Sequence, residues 1–213
     1  MDQESEKRAA ARAAAELVED GMVVGLGTGT TVDHLLPALA RLNLSIRCVA
    51  SSPRTEEAAR DLGLDVVEFG SIEHLDLTID GADQVAPDGW LVKGGGAAHT
   101  REKVVAAAAS RFVVIADSTK VVDALRPPIP LELLEFGLAA TLVHVSPAQL
   151  RDVSRTPDGG RIADYTGEVD EPAALAARLS ATPGVVEHGL FPPTLLSVVL
   201  IGRGTTVERR DLP

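Results

Sequence analysis

The sequence has a single cysteine among 213 residues, so no disulfide bond can form within the chain. Because Cys48 lies in the apolar run 46–50, we expect it to be a buried core thiol. One cysteine cannot complete a zinc site, and the five histidines are scattered without the close pairing of metal ligands: His34, His74, His99, His144 and His188. The sequence therefore predicts no metal.

Basic residues and long apolar runs are also scarce. The 20 lysines and arginines are outnumbered by 31 aspartates and glutamates, which gives a formal charge of -11. Such a surface repels nucleic acid phosphates and anionic membranes, so neither is an expected partner, and an anionic substrate needs a local positive pocket. No run of eighteen apolar residues exists, and the charged residues 2–8 do not resemble a signal peptide. We expect a cytoplasmic protein.

Several common nucleotide and hydrolase motifs are missing. Gly25 and Gly27 supply two glycines of a dinucleotide fingerprint, but Thr30 occupies the third glycine position. The acidic residue expected about twenty residues further on is absent, as are a Gly-Lys-Ser/Thr sequence and a G-x-S-x-G elbow. These absences argue against nicotinamide, ATP and serine-hydrolase chemistry. A small phosphorylated molecule is the favoured ligand.

Helices and strands alternate in the first part of the chain. Apolar segments with strand patterns are separated by helical patterns, beginning with a helix at 5–20, and the predicted strands are 22–26, 46–50, 64–67, 75–79 and 112–116. This order predicts an α/β fold with an open, mostly parallel Rossmann-like sheet and helices on both faces.

A glycine and threonine loop, residues 27–31, follows the first predicted strand. Backbone N–H groups, the hydroxyls of Thr28, Thr30 and Thr31, and the dipole of the next helix are all available there to an anion. This geometry favours a phosphate site. Without a phosphate, the same loop is an ordinary tight turn between a strand and a helix.

The stretch 76–103 concentrates groups that suit proton transfer. Asp80 and Asp83 follow a buried alternation where a strand opens into a loop, the edge at which α/β sheets bind ligands. A second extended run, 90–92, leads to Lys93 and three consecutive glycines whose N–H groups can face a negatively charged oxygen.

A helix predicted from Thr100 to Ser110 places Glu102 in its first turn. We expect this carboxylate to be ionised, which suits a base that takes a proton from carbon. Each piece also has a plainer interpretation. The sequence at 80–83 can be a simple turn, the glycines a flexible connection, and Glu102 part of a solvated helix start.

Beyond residue 120 the chain changes character. The strand 112–116 leads to Lys120 at the same sheet edge, although a solvated loop lysine has the same pattern. Prolines 127, 128 and 130 mark a boundary. A strand at 139–145, a hairpin near 157–160, a helix at 171–180 and strands at 185–191 and 195–201 follow. We predict a smaller α+β (ferredoxin-like) domain at 127–195, beside an α/β domain at 1–126 with 196–213.

Taken together, these segments resemble the A type of ribose-5-phosphate isomerase. The resemblance is carried, in the order of that family, by GLGTGTTV at 25–32, SSPRTEEAARDLG at 51–63, DGAD at 80–83, KGGGAAHTREK at 93–103 and IADSTK at 115–120. It implies an aldose-ketose isomerase that interconverts D-ribose 5-phosphate and D-ribulose 5-phosphate through an enediolate, without metal or cofactor.

The resemblance also implies roles for single residues. Glu102 is the base, Asp80 and Asp83 serve ring opening and hydroxyl proton exchange, and Lys93 stabilises the oxyanion. The partner is a small phosphorylated sugar, and the assembly is a homodimer or homotetramer. Substrate binding is expected from the following residues: Lys7, Thr28, Gly29, Thr30, Thr31, Gly81, Ala82, Gly94, Gly95, Gly96 and Lys120.

Three positions depart from that family's usual pattern. Gln84 stands where an acidic residue is usual, His99 where an apolar residue is common, and Thr30 where serine is usual. Gln84 and His99 therefore leave open an isomerase of a different phosphosugar. A second alternative is a non-catalytic phosphosugar-binding sensor domain, which predicts a lost base or an attached helix-turn-helix.

Overall fold

A computed structural model describes residues 2–212 and divides the chain into two compact units. The first unit contains Met1–Ala82, Arg101–Val121 and Thr194–Pro213, and the second contains Asp83–Thr100 and Val122–Pro193. Residues 83–100 and 122–126 thus group with the second unit, whereas the sequence-based division places them in the larger domain. Residues 1 and 213 lie outside the described range.

Six α-helices lie within residues 2–212. They are α1 (Gln3–Ala15), α2 (Val32–Leu42), α3 (Pro53–Asp61), α4 (His99–Ala107), α5 (Leu138–His144) and α6 (Pro172–Ser180). Short 3₁₀ turns occupy Phe69–Ser71, Ser118–Lys120 and Pro193–Leu195. No helix in this part of the chain combines the length and the apolar character needed to cross a membrane.

Fourteen strands complete the described chain. They are β1 (Val23–Leu26), β2 (Arg47–Ala50), β3 (Asp65–Val66), β4 (Leu77–Gly81), β5 (Gln84–Val85), β6 (Leu91–Val92), β7 (Phe112–Asp117), β8 (Ile129–Leu133), β9 (Ala148–Leu150), β10 (Arg161–Tyr165), β11 (Val185–His188), β12 (Leu190–Phe191), β13 (Val198–Arg203) and β14 (Thr206–Asp211).

In the first unit, seven strands form one sheet in the order β14-β13-β7-β4-β1-β2-β3. All neighbours are parallel except the β13–β14 hairpin. This confirms the predicted mostly parallel α/β sheet. The chain builds outward from β1 in one direction through β2 and β3, then crosses to β4 on the other side. The strand order therefore reverses between β1 and β4, the point at which such sheets bind ligands.

Small residues let α1 approach this sheet closely. Ala10, Ala11 and Ala14 are fully buried. A Cβ on Gly202 of β13 would overlap the carbonyl oxygen of Glu6, so a larger residue would push the helix away. The helix begins two residues earlier than predicted, because the Asp2 side chain accepts a hydrogen bond from the Glu4 N–H at 3.1 Å and caps it.

The second unit has the chain order β8-α5-β9-β10-α6-β11. Its antiparallel sheet has the spatial order β11-β8-β10-β9, and its core contains Ile129, Leu131, Leu133 and Leu179. This is the ferredoxin-like arrangement, as predicted. A separate three-stranded sheet in the same unit has the order β12-β6-β5.

Several local predictions in the last third of the chain were wrong. The apolar run 139–145, predicted as a strand, forms helix α5, which follows Gly137 in a left-handed conformation (φ +72°). Short apolar runs do not distinguish a strand from a buried helix. The strand β8 was missed because the prolines at 127, 128 and 130 suggested a boundary. The last apolar strand, β13, pairs with β7 and is followed by β14, which was not predicted.

Candidate active site

In the first unit, the loop after β1 meets the carboxyl end of β4. Asp80 is 1% exposed, and its Oδ1 accepts hydrogen bonds from the N–H of Thr28 at 3.1 Å and of Gly81 at 2.6 Å. A Cβ on Gly27 would overlap the Asp80 carboxylate, so this approach requires glycine. The structure therefore brings together Thr28, Asp80 and Gly81, three of the predicted site residues.

Hydroxyl groups at the start of α3, which follows β2, support the same loop. The Thr28 hydroxyl forms hydrogen bonds with the hydroxyls of Ser52 and of Thr55, the latter at 2.6 Å. Thr55 also donates to the carbonyl oxygen of Gly27 at 2.9 Å, and Ser52 caps α3. Neither Ser52 nor Thr55 was predicted as a site residue. The segment 51–63, one of the segments that carry the resemblance, was the available signal.

The remaining loop residues lead into α2. Gly29 has a φ of +129°, which disfavours any residue with a Cβ. Thr30 is exposed, whereas Thr31 is 7% exposed and occupies the N-cap of α2 without a capping hydrogen bond from its side chain. The loop thus presents backbone and hydroxyl donors at the start of an 11-residue helix, where the helix dipole favours an anion.

Two lysines of the first unit have well-defined surroundings. Lys7 is largely buried on α1, and its Nζ lies 2.7 Å from Oε1 of Glu4. Lys120 is half-buried in the 3₁₀ turn after β7. Glu6 holds that turn, since it accepts hydrogen bonds from the N–H of Ser118 at 2.9 Å and of Gly204 at 3.0 Å. Hydrogen bonds from Ser118 and then from Gly204 lower the pKa of Glu6.

Glu102 lies in the first turn of α4 and is 4% exposed, unlike a carboxylate at a solvated helix start. The helix that carries it is fixed against the sheet. The Thr78 hydroxyl donates to the carbonyl oxygen of Val105 at 3.2 Å, and a Cβ on Gly25 would overlap the side chains of both. The predicted position of Glu102 in a first helical turn is confirmed.

In the second unit, Lys93 follows β6 and is 2% exposed. Its backbone N–H donates to the carbonyl oxygen of Gly189 at 2.9 Å. Its Nζ lies 5.4 Å from the centroid of the Phe191 ring, within the range of a cation–π contact. A Cβ on Gly189 would overlap the Lys93 carbonyl oxygen, so the backbone between β11 and β12 packs directly against this lysine.

The three glycines after Lys93 form an ordered turn. The N–H of Ala97 donates to the Gly94 carbonyl oxygen at 3.0 Å, and Gly94 has a φ of +103°. The N–H of Gly95 donates to Oδ2 of Asp83 at 2.7 Å. Gly95, Gly96 and Asp83 are exposed. The structure thus joins Asp83 to the glycine loop through a defined bond, which a merely flexible connection would lack.

The chain matches the family model of ribose 5-phosphate isomerase A (phosphoriboisomerase A) over residues 47–206. It belongs to this family. A similar protein is ribose-5-phosphate isomerase A of Caulobacter sp. strain K31, 45% identical over 206 residues that cover 90% of this chain and 91% of that protein. The Halobacterium salinarum protein of the same name is 44% identical and covers 98% of this chain and 96% of its own length.

Solved structures agree with this assignment. Ribose 5 phosphate isomerase A of Neisseria gonorrhoeae superposes with a TM-score of 0.94 at 30% identity, covering 100% of this chain and 98% of its own. A D-ribose-5-phosphate isomerase in complex with phospho-erythronic acid superposes with a TM-score of 0.93 at 30% identity, covering 99% and 100%. The DeoR C terminal sensor domain model matches residues 2–72.

The positions that depart from the usual pattern of ribose 5-phosphate isomerase A have specific contacts. The Gln84 amide donates to the Arg126 carbonyl oxygen at 2.7 Å and accepts from the Arg126 N–H at 2.8 Å. A carboxylate could accept but not donate, so this reciprocal pair needs the amide. His99 is fully buried, and a Cβ on Gly94 would lie 2.7 Å from its Nδ1. Both side chains therefore have structural contacts in the second unit.

Sequence reasoning missed a buried glutamate of the second unit that pairs with Thr100. Glu132 of β8 is 2% exposed and accepts hydrogen bonds from the hydroxyls of Thr100 and Thr156, the latter at 2.5 Å. Thr100 lies two residues before Glu102 in the same helix. The sequence gives no signal for the contact between Thr100 and Glu132. They are 32 positions apart, and Glu132 lies next to the prolines that were predicted to mark a boundary.

Two further predictions concern the reactivity of Cys48 and the presence of a metal site. Cys48 is fully buried, as predicted, and burial together with nearby Asp65 raises the pKa of its thiol to about 12. It stays protonated at neutral pH and is a poor nucleophile. Among residues 2–212, no group of three or more His, Cys, Asp and Glu side chains is arranged to hold a metal ion.

Proposed function

We propose that the protein interconverts D-ribose 5-phosphate and D-ribulose 5-phosphate, an aldose-ketose isomerisation of the non-oxidative pentose phosphate pathway. The burial of Glu102 in the first turn of α4 carries this proposal. A base that removes a proton from carbon works best when water is kept away and its position is fixed. The names of the relatives, ribose-5-phosphate isomerase A, support the same activity.

The proposed reaction transfers one proton between neighbouring carbons. The Glu102 carboxylate takes the proton from C2 of the open-chain aldose, the C–H electron pair forms the C1=C2 double bond, and the π pair of the C1 carbonyl moves onto O1 to give an enediolate. Glu102 then returns the proton to C1. The O2 hydroxyl proton leaves and O1 is protonated in the same exchange, so the carbonyl is now at C2. The negative charge that develops on oxygen is stabilised by the Lys93 ammonium and by the N–H groups of 94–96.

Two carboxylates serve the steps around this transfer. Asp80 and Asp83 open the sugar ring and exchange the hydroxyl protons as the carbonyl moves. Asp80 is held by two backbone N–H groups, and Asp83 accepts from Gly95. These bonds support the roles because they fix both side chains before the sugar binds. Gly81 and Ala82 contribute the backbone between them to substrate binding.

The phosphate group is assigned to the first unit. Thr28, Gly29, Thr30 and Thr31 supply hydroxyl and N–H donors at the start of α2, and Lys7 and Lys120 supply positive charge. A chain with a formal charge of -11 needs such a local positive region to bind an anion. No metal or cofactor has a step in the proposed reaction.

A solved relative supports the enediolate. That D-ribose-5-phosphate isomerase is in complex with phospho-erythronic acid. The carboxylate of an erythronic acid presents two oxygens on one planar carbon, much as an enediolate presents two oxygens on a planar carbon pair. A site that stabilises a transition state should bind such a mimic well.

A coupled assay of the purified protein with ribose 5-phosphate and a chelator tests the proposal. We expect ribulose 5-phosphate to form at an unchanged rate with chelator present. Binding of ribose 5-phosphate without turnover would instead support the sensor domain. That alternative draws on the DeoR match, but the match ends at residue 72, before Asp80, Lys93 and Glu102. Faster turnover of another aldose phosphate would support an isomerase of a different phosphosugar.

The proposal also covers the cellular location of the protein and its oligomeric state. We propose a cytoplasmic homodimer or homotetramer. Light scattering coupled to size-exclusion chromatography tests the assembly, and a monomer at assay concentration would contradict it.

A further inference from the structure

Arg151 contacts the glycine loop from the position immediately after β9. Its Nη1 donates to the carbonyl oxygens of Gly94 at 3.1 Å and Gly95 at 3.2 Å. The side chain is only 20% exposed. Charge-assisted hydrogen bonds of this kind are among the stronger ones in proteins. One guanidinium nitrogen therefore holds two consecutive peptide groups of the loop.

The other side of the guanidinium is fixed by Asp164 of β10. Nε donates to Oδ2 at 3.0 Å and Nη2 donates to Oδ1 at 2.5 Å, a bidentate pair. The backbone is fixed as well, because the Arg151 N–H donates to the Ile162 carbonyl oxygen at 2.8 Å. With three of its nitrogens engaged, the guanidinium has a single orientation relative to the loop.

Peptide planarity transmits this orientation to the opposite face of the loop. In a trans peptide the C=O of one residue and the N–H of the next point in opposite directions. When the carbonyls of Gly94 and Gly95 face Arg151, the N–H groups of Gly95 and Gly96 must face away from it. The bond from the Gly95 N–H to Asp83 is the observed consequence.

We infer that Arg151, oriented by Asp164, is a positioning residue for the isomerisation, because it fixes the direction of the Gly95 and Gly96 N–H groups and of Asp83. This inference rests on the proposed function, in which those groups act on the sugar. Arg151 does not touch the substrate in this assignment. Its effect passes through the glycine loop that follows Lys93.

The first test compares Arg151→Met with Arg161→Met. Arg161 is a matched control because it is similarly buried, lies on the same sheet and pairs with Glu135 on the surface. We expect kcat of Arg151→Met to fall on the order of 10²-fold, as a small displacement of positioning groups can cost, with a smaller change in KM. Arg161→Met should retain the wild-type kcat. Arg151→Lys keeps the positive charge but loses the planar guanidinium with its several donors, so its kcat should lie between those of Arg151→Met and the wild type.

Chemical rescue separates positioning from stability. In Arg151→Ala, millimolar guanidinium should restore part of kcat, whereas the same concentration of urea should not. Arg151→Met should unfold at a lower temperature than Arg161→Met, because it loses more hydrogen bonds, but it should stay fully folded at the assay temperature. A wild-type kcat in Arg151→Met would overturn the inference. So would a loss of kcat that follows from unfolding at the assay temperature and does not respond to guanidinium.

Hydrogen exchange makes the inference testable apart from the proposed function. The Gly95 amide should exchange faster in Arg151→Met than in the wild type, because its bond to Asp83 loses support. Unchanged exchange across 94–97 would contradict the inference even in an active enzyme. If the wild-type protein does not convert ribose 5-phosphate at all, the proposed function fails, while the exchange result still reports on Arg151.

Discussion

The N–H of Thr28 donates to Oδ1 of Asp80 at 3.1 Å and thereby joins the ends of β1 and β4. These are the two strands between which the order of the parallel sheet reverses. The predicted phosphate loop and the first predicted carboxylate are therefore direct neighbours. Their separation of 52 positions in the chain is bridged by the parallel pairing of the two strands.

Gly27→Ala should strongly lower the activity of the protein. A Cβ at this position would occupy the space of the Asp80 carboxylate, so Asp80 or the loop must move. We expect kcat/KM to fall on the order of 10²-fold or more, as misplacement of reacting groups can cost, in the coupled assay. Gly70→Ala is the control, since its added Cβ meets no atom within 4 Å. Full activity of Gly27→Ala would show that Asp80 has no precise role.

Glu102→Gln tests the base directly. The substitution keeps the shape of a side chain that is 4% exposed but removes its capacity to accept a proton. We expect kcat to fall by roughly 10²–10⁴-fold, the usual contribution of a general base, with little change in KM. Glu57→Gln on α3 is the control, because that carboxylate is exposed. An active Glu102→Gln enzyme would contradict the assignment.

That Thr28 and Asp80 lie at the same edge of the sheet could be anticipated from the sequence, whereas the pairing of β1 with β4 that makes them neighbours required the structure. Apolar strands followed by glycine or aspartate indicate strand ends, and parallel strands bring their carboxyl ends to one edge of the sheet. The burial of Glu102 was not visible in the sequence, since its neighbours Arg101 and Lys103 suggest a solvated helix start. Burial there depends on packing of α4 through Gly25 and Thr78.

Arg151 and Glu132 could not be anticipated in the same way. Arg151 and Gly94 are 57 positions apart, and Arg151 lies in the connection between the three-residue strand β9 and β10. The sequence around an arginine in a polar segment does not indicate which distant residue it will bind. The unit that contains it also includes β8, which was concealed by the prolines at 127, 128 and 130, and α5, whose apolar run suggested a strand. Long-range polar contacts in the second unit therefore required the structure.

Lys120→Ala should act on binding more than on chemistry. If the lysine pairs with the sugar phosphate, KM should rise at least about tenfold, because hydrogen bonds to charged groups contribute roughly 1.5–3 kcal/mol, while kcat stays near the wild-type value. Steady-state kinetics at several salt concentrations measure both. Arg12→Ala, which removes a positive charge from the exposed face of α1, should leave KM unchanged. A fall in kcat alone would place Lys120 in the chemistry.

The turn that carries Lys120 should lose support in acid because Glu6 holds it. Hydrogen bonds from Ser118 and Gly204 lower the pKa of Glu6 below its usual value of 4.5, so the folded state prefers the ionised carboxylate. A lowered folded-state pKa contributes stability that is fully present above the unfolded-state pKa and is lost as the pH falls through the folded-state pKa. Glu6 should therefore stabilise the protein at pH 7 and progressively less below pH 4.5.

Urea unfolding of Glu6→Gln across this pH range tests the linkage. At pH 7 the variant should be less stable than the wild type, and the gap in unfolding free energy should narrow as the pH falls below 4.5. Glu57→Gln should show no such gap, because its exposed carboxylate holds no turn. A gap between Glu6→Gln and the wild type that stays constant with pH would mean that the ionised Glu6 carboxylate is not what stabilises the turn, since protonation would then leave its contribution unchanged.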